Sequence, residues 1–305
     1  PGWAFWLLLG AAAWFAAPGL AALSIQMRPD VPLAALILLF AYLLARAARD
    51  RSAAHALGAA AVAGFCVMLK LHAIGLVVNL EPKYAASDHA RDIAATARAD
   101  AYMNRQYLDP ALLGSYPEEL SEIFGDAWPE FPPDDMRLLK QPIDFLGINY
   151  YTRSVTRDDP MALPVRASRV RQWRHVHTEL DWEVWPQALT DVLLWVTKRY
   201  GRIPLYVTEN GSAFYDSPSS EDLVDDPLRT WYLRHHLRAA HRAQQEGADL
   251  RGYFVWSLLD NFEWVQGYSK RFGLLHVDYE TQQRTIKGSG RFYSEVVRTH
   301  GSRLG

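Results

Sequence analysis

Hydrophobic residues are distributed very differently in the first 72 residues and in the rest of the chain. No charged residue occurs before Arg28, and residues 31–45 and 53–69 again lack Asp, Glu, Lys and Arg. The first apolar run is long enough by count to cross a bilayer, but Pro18 interrupts it and no basic segment precedes it. We therefore expect residues 1–72 to form an apolar helical region of buried helices, and we expect neither a signal peptide nor membrane insertion.

From Ala73 onward the chain alternates between short apolar runs of strand length and longer segments with helical spacing. The predicted strands are residues 73–80, residues 143–150, the strand within Pro204–Gly211, and residues 252–258; the main predicted helices are residues 88–107, 185–200, 227–245 and 288–299. Between the second strand and the second helix, we expect a polar and irregular stretch from Arg153 to about Glu179. Such alternation predicts an α/β fold with a parallel sheet covered by helices, and no linker or repeat divides residues 73–305.

The composition and the absence of several motifs argue against some classes of function. Half of the residues are apolar and 22% are charged, as in an ordinary globular protein, and the net charge of −2 gives no electrostatic case for nucleic-acid binding. The single Cys66 excludes an intrachain disulfide, and the sequence contains neither a glycine-rich phosphate loop nor a His-Glu-x-x-His motif. We expect His235, His236 and His241 to lie on a solvated helix face rather than to bind a metal. No cofactor and no metal are predicted.

The stretch Pro204–Gly211 carries the most informative carboxylate. Its first residues favour a short buried strand, and Asn210–Gly211 is a turn signal, so Glu209 lies at the carboxyl end of the strand. In a barrel of parallel strands, catalytic side chains are presented at that end. Taken alone, Glu209 could equally cap the next helix or lie solvated in a loop.

Several longer motifs from Ala73 to the C-terminus resemble the second half of a family 1 glycoside hydrolase, the β-glucosidase family. They are Asn79–Tyr84 (NLEPKY), Asp144–Thr152 (DFLGINYYT), Val207–Gly211 (VTENG), Gly252–Trp264 (GYFVWSLLDNFEW), Gly267–Gly273 (GYSKRFG) and Val277–Glu280 (VDYE). They occur in the family's order and cover about three quarters of the chain. The resemblance implies a (β/α)8 barrel of which the four predicted strands are the fifth to the eighth, hence a partial barrel.

The resemblance also implies roles for individual residues. Glu209 matches the catalytic nucleophile of a retaining glycosidase, and Tyr151 matches the tyrosine that orients it. Residues that match substrate-binding positions are Asn149, Trp182, Trp256, Glu263, Trp264 and Phe272. Among these, Trp256 would stack under the sugar, Trp182 would flank the aglycone, and Phe272 would lie in the loop that closes over the sugar. For each aromatic residue alone, core packing is the ordinary alternative.

One part of the family's chemistry has no match in this sequence. A retaining glycosidase needs a second carboxylate as general acid/base, which in the family belongs to an Asn-Glu-Pro motif after the fourth strand. This chain has no Glu before Glu81 and no Asn before Asn79. The segment Asn79–Pro82 (NLEP) superficially resembles that motif but has one residue more and follows the fifth strand. We therefore interpret Glu81 as a loop carboxylate rather than the acid.

These observations predict a retaining β-glycosidase of the β-glucosidase type, present as a truncated chain that is impaired alone. The expected substrate is a β-glycoside or oligosaccharide, and a complementing N-terminal half or a second copy of the chain would complete the barrel. We expect a cytoplasmic protein. Two alternatives stay open: a non-catalytic sugar-binding remnant, and a membrane-anchored glycosidase-like protein with residues 1–27 as its anchor.

Overall fold

The structure, a computed structural model, describes residues 42–43, 46, 49–50, 73–220 and 223–304. The chain divides into two compact units, Pro1–Ile74 and Gly75–Gly305. In the first unit, residues 42–43, 46 and 49–50 are helical, and Arg46 pairs with Asp50 at 2.7 Å. Most of the predicted apolar helical region 1–72, including the proposed anchor, lies outside the described residues. Within the part of the chain that is described, no helix combines the length and the apolar character that crossing a bilayer requires.

A parallel four-stranded sheet lies at the centre of the second unit. Its strands are β1 (Gly75–Asn79), β3 (Phe145–Asn149), β6 (Leu205–Asn210) and β9 (Leu250–Val255), in the order β1-β3-β6-β9. Every neighbouring pair is parallel, with Val77 opposite Gly147 and Ile148 opposite Val207. The alternation of strands and helices therefore produces the α/β fold that the sequence predicts, and the carboxyl ends of all four strands meet at one edge.

Seven α-helices occur among the described residues of this unit. They are α1 (Ala90–Asp100), α2 (Gln106–Leu112), α3 (Glu118–Phe124), α4 (Pro133–Leu139), α5 (Gln187–Tyr200), α6 (Pro227–Gln245) and α7 (Gly288–Arg298). The sequence predicts a single helix over residues 88–107, whereas the structure has a π-helical turn, Ala101–Arg105, between α1 and α2. Helix α2 continues past Pro110, and the carboxylate of the preceding Asp109 accepts hydrogen bonds from Arg199 and from the Tyr200 hydroxyl, each at 2.6 Å.

Short strands form three further sheets that the sequence does not predict. They are the β2-β4-β5 sheet of Lys83–Ala85, Ser154–Asp158 and Ala167–Arg169, the β7-β8 pair of Ser217–Ser220 and Leu223–Asp225, and the β10-β11 pair of Leu275–Val277 and Arg284–Ile286. The stretch after Arg153 is therefore not irregular throughout. Strands of three to five residues carry too few alternating positions to produce a period-2 signal.

The two faces of the parallel sheet have different surroundings. Ile148 and Val207 point to the helix side and are fully buried with Leu189 and Leu193 of α5 in one hydrophobic core. On the opposite face, Gly147 leaves room for its neighbours, because a Cβ there would lie 2.8 Å from side-chain carbons of Thr208 and of Val77. Val77 itself is 49% exposed. The helix side therefore contains the packed core, and the opposite face is only partly covered.

The histidines of α6 do not share one solvated face, so that expectation is wrong for one of them. His241 is exposed, but His236 is fully buried and stacks on the ring of Tyr232 with centroids 3.8 Å apart. Burial lowers the pKa of His236 to about 3, so the ring is neutral near pH 7. His236 follows Tyr232 by four residues and therefore lies on the same helix face, which is turned toward the sheet.

Candidate active site

Glu209 and Tyr151 meet at the carboxyl edge of the parallel sheet. Glu209 is the second-last residue of β6, and Tyr151 follows β3 by two residues. The Tyr151 hydroxyl donates a hydrogen bond of 2.6 Å to Oε2 of Glu209. Burial and this bond to a carboxylate raise the pKa of Tyr151 far above its ordinary value, so the phenol keeps its proton and acts as a donor. The neighbouring parallel strands β3 and β6 bring the two side chains together.

A cavity of about 520 Å³ opens beside this pair. Glu263, Trp256 and Trp182 line it together with Glu209 and Tyr151. Trp264 also lines the cavity, although 78% of this residue is exposed. The structure thus gathers six of the eight predicted site residues around one concave surface: Tyr151, Trp182, Glu209, Trp256, Glu263 and Trp264.

Glu263 is the second carboxylate of the cavity. The indole N–H of Trp256 donates a hydrogen bond to it. Burial and the charge of Glu209 raise the pKa of Glu263, and the Trp256 hydrogen bond offsets part of that rise. A carboxylate held by one neutral donor keeps acceptor sites for ligand hydroxyl groups.

Phe272 lies behind the cavity rather than over it. Only 2% of Phe272 is exposed, and it does not line the cavity. Its ring packs edge-on against Tyr151, with centroids 6.3 Å apart, and against Trp182 at 6.2 Å. Tyr151 and Trp182 are themselves 5.2 Å apart. In this arrangement Phe272 supports two rings of the cavity wall, and its place in a closing loop stays a prediction.

Asn149 is also absent from the cavity wall. Its Oδ1 accepts a hydrogen bond of 2.7 Å from the hydroxyl of Thr208, on the neighbouring strand. The bond joins β3 to β6 one residue before Glu209. Asn149 therefore contacts the strand that carries Glu209, and the prediction that it binds substrate directly stays a prediction.

The loop after β1 contributes a third carboxylate to the cavity. Glu81 lines the cavity, and its carboxylate pairs with Lys83. The amide of Asn104 accepts from the Glu81 backbone N–H at 2.9 Å and donates to its carbonyl at 3.0 Å. Asn104 lies in the π-helical turn, which also brings Met103 to the cavity. No hydrophobic periodicity in the sequence indicates a π-helical turn, so the sequence does not predict that Met103 and Asn104 lie at or beside the cavity.

Gly211 explains how the strand that carries Glu209 can end beside Trp256. A Cβ on Gly211 would lie 1.8 Å from the carbonyl oxygen of Trp256, which is closer than any pair of atoms tolerates. The turn signal in the sequence is therefore matched by a close approach of two backbones.

A separate buried cluster contains the one group of side chains, among the described residues, with a metal-like arrangement. Ligand atoms of Asp216, Asp260 and His276 lie within 4.8 Å of one another. Three cations already pair with the two carboxylates. Lys287 donates to Asp260 at 2.8 Å and pairs with Asp216, Arg271 donates to Asp260 at 2.7 Å, and Arg229 donates to Asp216 at 2.8 Å. Because these cations neutralise the carboxylates, the cluster is an ion-pair network, and the donor set does not fit a metal ion.

Comparison with known proteins agrees with the motifs in the sequence. The model of glycosyl hydrolase family 1 matches residues 46–302. Beta-glucosidase A of Acetivibrio thermocellus is 40% identical over 232 residues, which are 75% of this chain and 52% of that protein. Beta-glucosidase A of Thermotoga maritima is 41% identical over 261 residues, 85% of this chain and 57% of that protein. The chain thus spans about half the length of these curated relatives.

Solved structures give the same result for the fold. The family 1 b-glucosidase from Thermotoga maritima matches with a TM-score of 0.72 at 40% identity, over 80% of this chain and 55% of that one. A beta-glucosidase from the same organism in complex with deoxynojirimycin matches with a TM-score of 0.73, over 81% of this chain and 56% of that one. On the family match and these identities, the chain belongs to glycosyl hydrolase family 1.

Proposed function

We propose that this chain carries the nucleophile side of a retaining β-glycosidase site of the β-glucosidase type. The observation that supports this most directly is the 2.6 Å hydrogen bond from Tyr151 to Glu209 at the wall of the cavity. In the proposed step, a carboxylate oxygen of Glu209 bonds to the anomeric carbon while the bond to the leaving oxygen breaks. The leaving group departs with the electron pair, and water later hydrolyses the glycosyl-enzyme.

The cavity offers the chemistry that recognises a sugar ring. Trp256 supplies an aromatic face, and Glu263 supplies a carboxylate that can accept hydrogen bonds from hydroxyl groups. Trp182 and Trp264 add two further indoles to the wall. The similar structures include complexes with deoxynojirimycin, with glucoimidazole and with a cyclophellitol analogue transition state mimic. We infer a terminal β-D-glycosyl residue as the substrate group.

General acid assistance is the step for which we assign no residue of this chain. Glu81 lines the cavity, but its carboxylate is engaged with Lys83, and its segment does not match the family's Asn-Glu-Pro motif. Acid assistance typically contributes about 10²–10⁴-fold to the rate. We therefore propose that the chain alone turns over natural glycosides slowly and reacts best with aryl glycosides, whose leaving groups depart without protonation.

We further propose that additional strands complete the parallel sheet into a barrel. Among the described residues, the outer strands β1 and β9 each pair with one strand of this sheet. Val77 on β1 is 49% exposed and Phe254 on β9 is 56% exposed, which leaves apolar surface available for burial. A complementing N-terminal half or a second copy of the chain would supply the additional strands. Light scattering of the purified chain separates these sources, because self-complementation requires a dimer.

Mass spectrometry of the intact chain tests the proposed function. After incubation with 2,4-dinitrophenyl 2-deoxy-2-fluoro-β-D-glucoside, we expect a single covalent adduct that peptide mapping assigns to Glu209. The dinitrophenolate leaves without an acid, so the test does not depend on a general acid. A chain that binds the sugar but forms no adduct would contradict the proposal and support a non-catalytic sugar-binding protein.

A further inference from the structure

The side chain of Asn210, the residue after Glu209, is fully buried and hydrogen-bonded on both sides of its amide. Nδ2 donates to the carbonyl oxygen of Tyr150 at 2.7 Å and to the hydroxyl oxygen of Tyr232 at 2.9 Å. Oδ1 accepts from the hydroxyl of Tyr253. Both amide protons and one acceptor site are therefore used inside the protein, and none of these bonds involves a residue that lines the cavity.

Asn210 and two of its three partners belong to the segments that carry Tyr151, Glu209 and Trp256. The Tyr150 carbonyl is part of the peptide bond that leads to Tyr151. Tyr253 lies on β9, three residues before Trp256, whose backbone N–H donates to the Asn210 carbonyl at 3.0 Å. Glu209 precedes Asn210 directly. One amide thus connects the backbones that present the phenol, the carboxylate and the indole.

Tyr232 extends the same connection to helix α6. Its ring stacks on His236 and is fully buried, so the hydroxyl that accepts from Asn210 has little freedom to move. A planar amide with three fixed partners holds their relative positions more firmly than backbone pairing alone, because moving any partner leaves a buried polar group unsatisfied. The β3–β6 and β6–β9 registers both shift at this end of the strands. The side-chain amide of Asn210 therefore connects the strands at the end where their regular backbone pairing is interrupted.

We propose that Asn210 is a positioning residue, which holds Tyr151 in register with Glu209 and fixes the approach of Trp256. The inference rests on the proposed function, since it assigns Asn210 a role in the attack by Glu209. Displacement of a catalytic group by about 1 Å costs on the order of 10²-fold in rate. Asn210 acts through Tyr151 and Glu209 and does not touch the substrate itself.

Kinetics of adduct formation on the full chain test this role. In Asn210→Leu the amide is replaced by an uncharged side chain of similar size. With the 2-fluoro glucoside, we expect the maximal rate constant of labelling to fall about 100-fold, by displacement of the reacting groups. The half-saturating reagent concentration should change little, because Trp256 and Glu263 still line the cavity.

A double-mutant cycle with Tyr151→Phe distinguishes positioning from general stabilisation. If Asn210 acts through Tyr151, then Tyr151→Phe lowers the rate constant strongly in the wild-type background and by less than about threefold in Asn210→Leu. Thr190→Val is the matched control, since it removes a buried 2.8 Å hydrogen bond from Thr190 to the Ala239 carbonyl, outside the cavity. This variant should lose stability and keep the wild-type labelling rate.

Every result of these labelling experiments either supports or contradicts the positioning role of Asn210. Additive effects of the two substitutions, or a wild-type labelling rate in folded Asn210→Leu, would overturn the positioning role while leaving the nucleophile intact. An unlabelled wild-type chain would overturn the proposed function and the inference with it. If Asn210→Leu does not fold, Tyr232→Phe removes one of the three partners, and its labelling rate constant should fall about threefold to tenfold with the same loss of coupling to Tyr151.

Discussion

Two groups of carboxylates in this chain have opposite kinds of partner. Glu209 and Glu263 receive hydrogen bonds from a phenol and from an indole, which are neutral donors. Asp216, Asp226 and Asp260 lie instead among Arg229, Arg271 and Lys287. Neutral donors orient a carboxylate and leave its charge available for chemistry, whereas cations cancel it. The comparison separates the carboxylates of the cavity from those of the buried ion-pair network by the partners that hold them.

One carboxylate of each group has a shifted pKa, and these two shifts have opposite directions. Burial and the charge of Glu209 raise the pKa of Glu263. Burial would also raise the pKa of Asp260, but Lys287 and Arg271 outweigh it, and the net pKa lies below its ordinary value. A carboxylate whose pKa is lowered by folding stabilises the folded chain when ionised, and one whose pKa is raised opposes folding when ionised. The four predictions below test this contrast.

Removal of the nucleophile should have the largest effect on chemistry. Glu209→Gln keeps the size and the acceptor for Tyr151 but cannot attack the anomeric carbon, so labelling by the 2-fluoro glucoside should fall below detection, more than about 10³-fold. The free energy of unfolding should change little. Labelling of this variant at any other carboxylate, detected by peptide mapping, would identify a different nucleophile.

Removal of a structural carboxylate should affect stability instead. Asp260→Asn leaves Lys287 and Arg271 with less compensation, and loss of one partner from a buried ion pair costs about 3–5 kcal/mol. Urea unfolding at pH 7 measures this loss. The labelling rate constant of the folded fraction should stay within about threefold of wild type; a much larger fall would show that the two groups of carboxylates are not independent.

The phenol should have an intermediate effect. Tyr151→Phe removes the hydrogen bond to Glu209, and a hydrogen bond to a charged group is worth about 1.5–3 kcal/mol. The labelling rate constant should therefore fall about 10–100-fold. Tyr150→Phe is the matched control, because the hydroxyl of the adjacent Tyr150 donates to the Trp185 carbonyl rather than to a cavity carboxylate. Equal losses for the two variants would contradict a specific role for Tyr151.

The smallest expected effect is on the pH dependence of stability. Its sign should differ between a cavity carboxylate and a carboxylate of the ion-pair network. The folded pKa of Glu263 is raised, so its contribution to stability is present at low pH and is lost as the pH rises through the folded value. Glu263→Gln should therefore become more stable relative to wild type between pH 4 and pH 7. Asp260→Asn should show its pH dependence in more acidic solution and with the opposite sign: the folded pKa of Asp260 is lowered, so the wild-type contribution is present above the unfolded pKa and is lost as the pH falls through the folded value. Urea midpoints from pH 7 down to the acid limit of the folded chain provide both measurements.

Much of the fold could be predicted from the sequence because its signals are local and repeated. The runs around Val77, Ile148 and Val207 are apolar over a whole strand, and helix α5 ends where Gly201 adopts a positive φ of 86°. The candidate cavity residues were found through motifs, since no period places Tyr151 beside Glu209.

The misses involve contacts between residues distant in sequence. The sequence predicts an exposed His236 because the helix is rich in Arg. In the structure the ring of Tyr232 stacks on His236 and buries it, which no local pattern indicates. Phe272 follows Tyr151 and Trp182 by about ninety or more positions, so no local pattern predicts that its ring packs against theirs, and its place in a loop that closes over the sugar stays a prediction. The π-helical turn that positions Asn104 depends on the hydrogen bonds to Glu81, which no local pattern encodes.

Gly211 has a consequence for how this cavity can change. The Trp256 carbonyl occupies the volume that a methyl group on Gly211 would need. Substitution of any larger residue there must push the strand end and the indole apart, although neither Gly211 nor its replacement touches a substrate. Sequence variation that alters the cavity is therefore expected at side chains that line it, such as Leu180 or Gln266. Position 211 itself is restricted to glycine, whose side chain is a hydrogen atom.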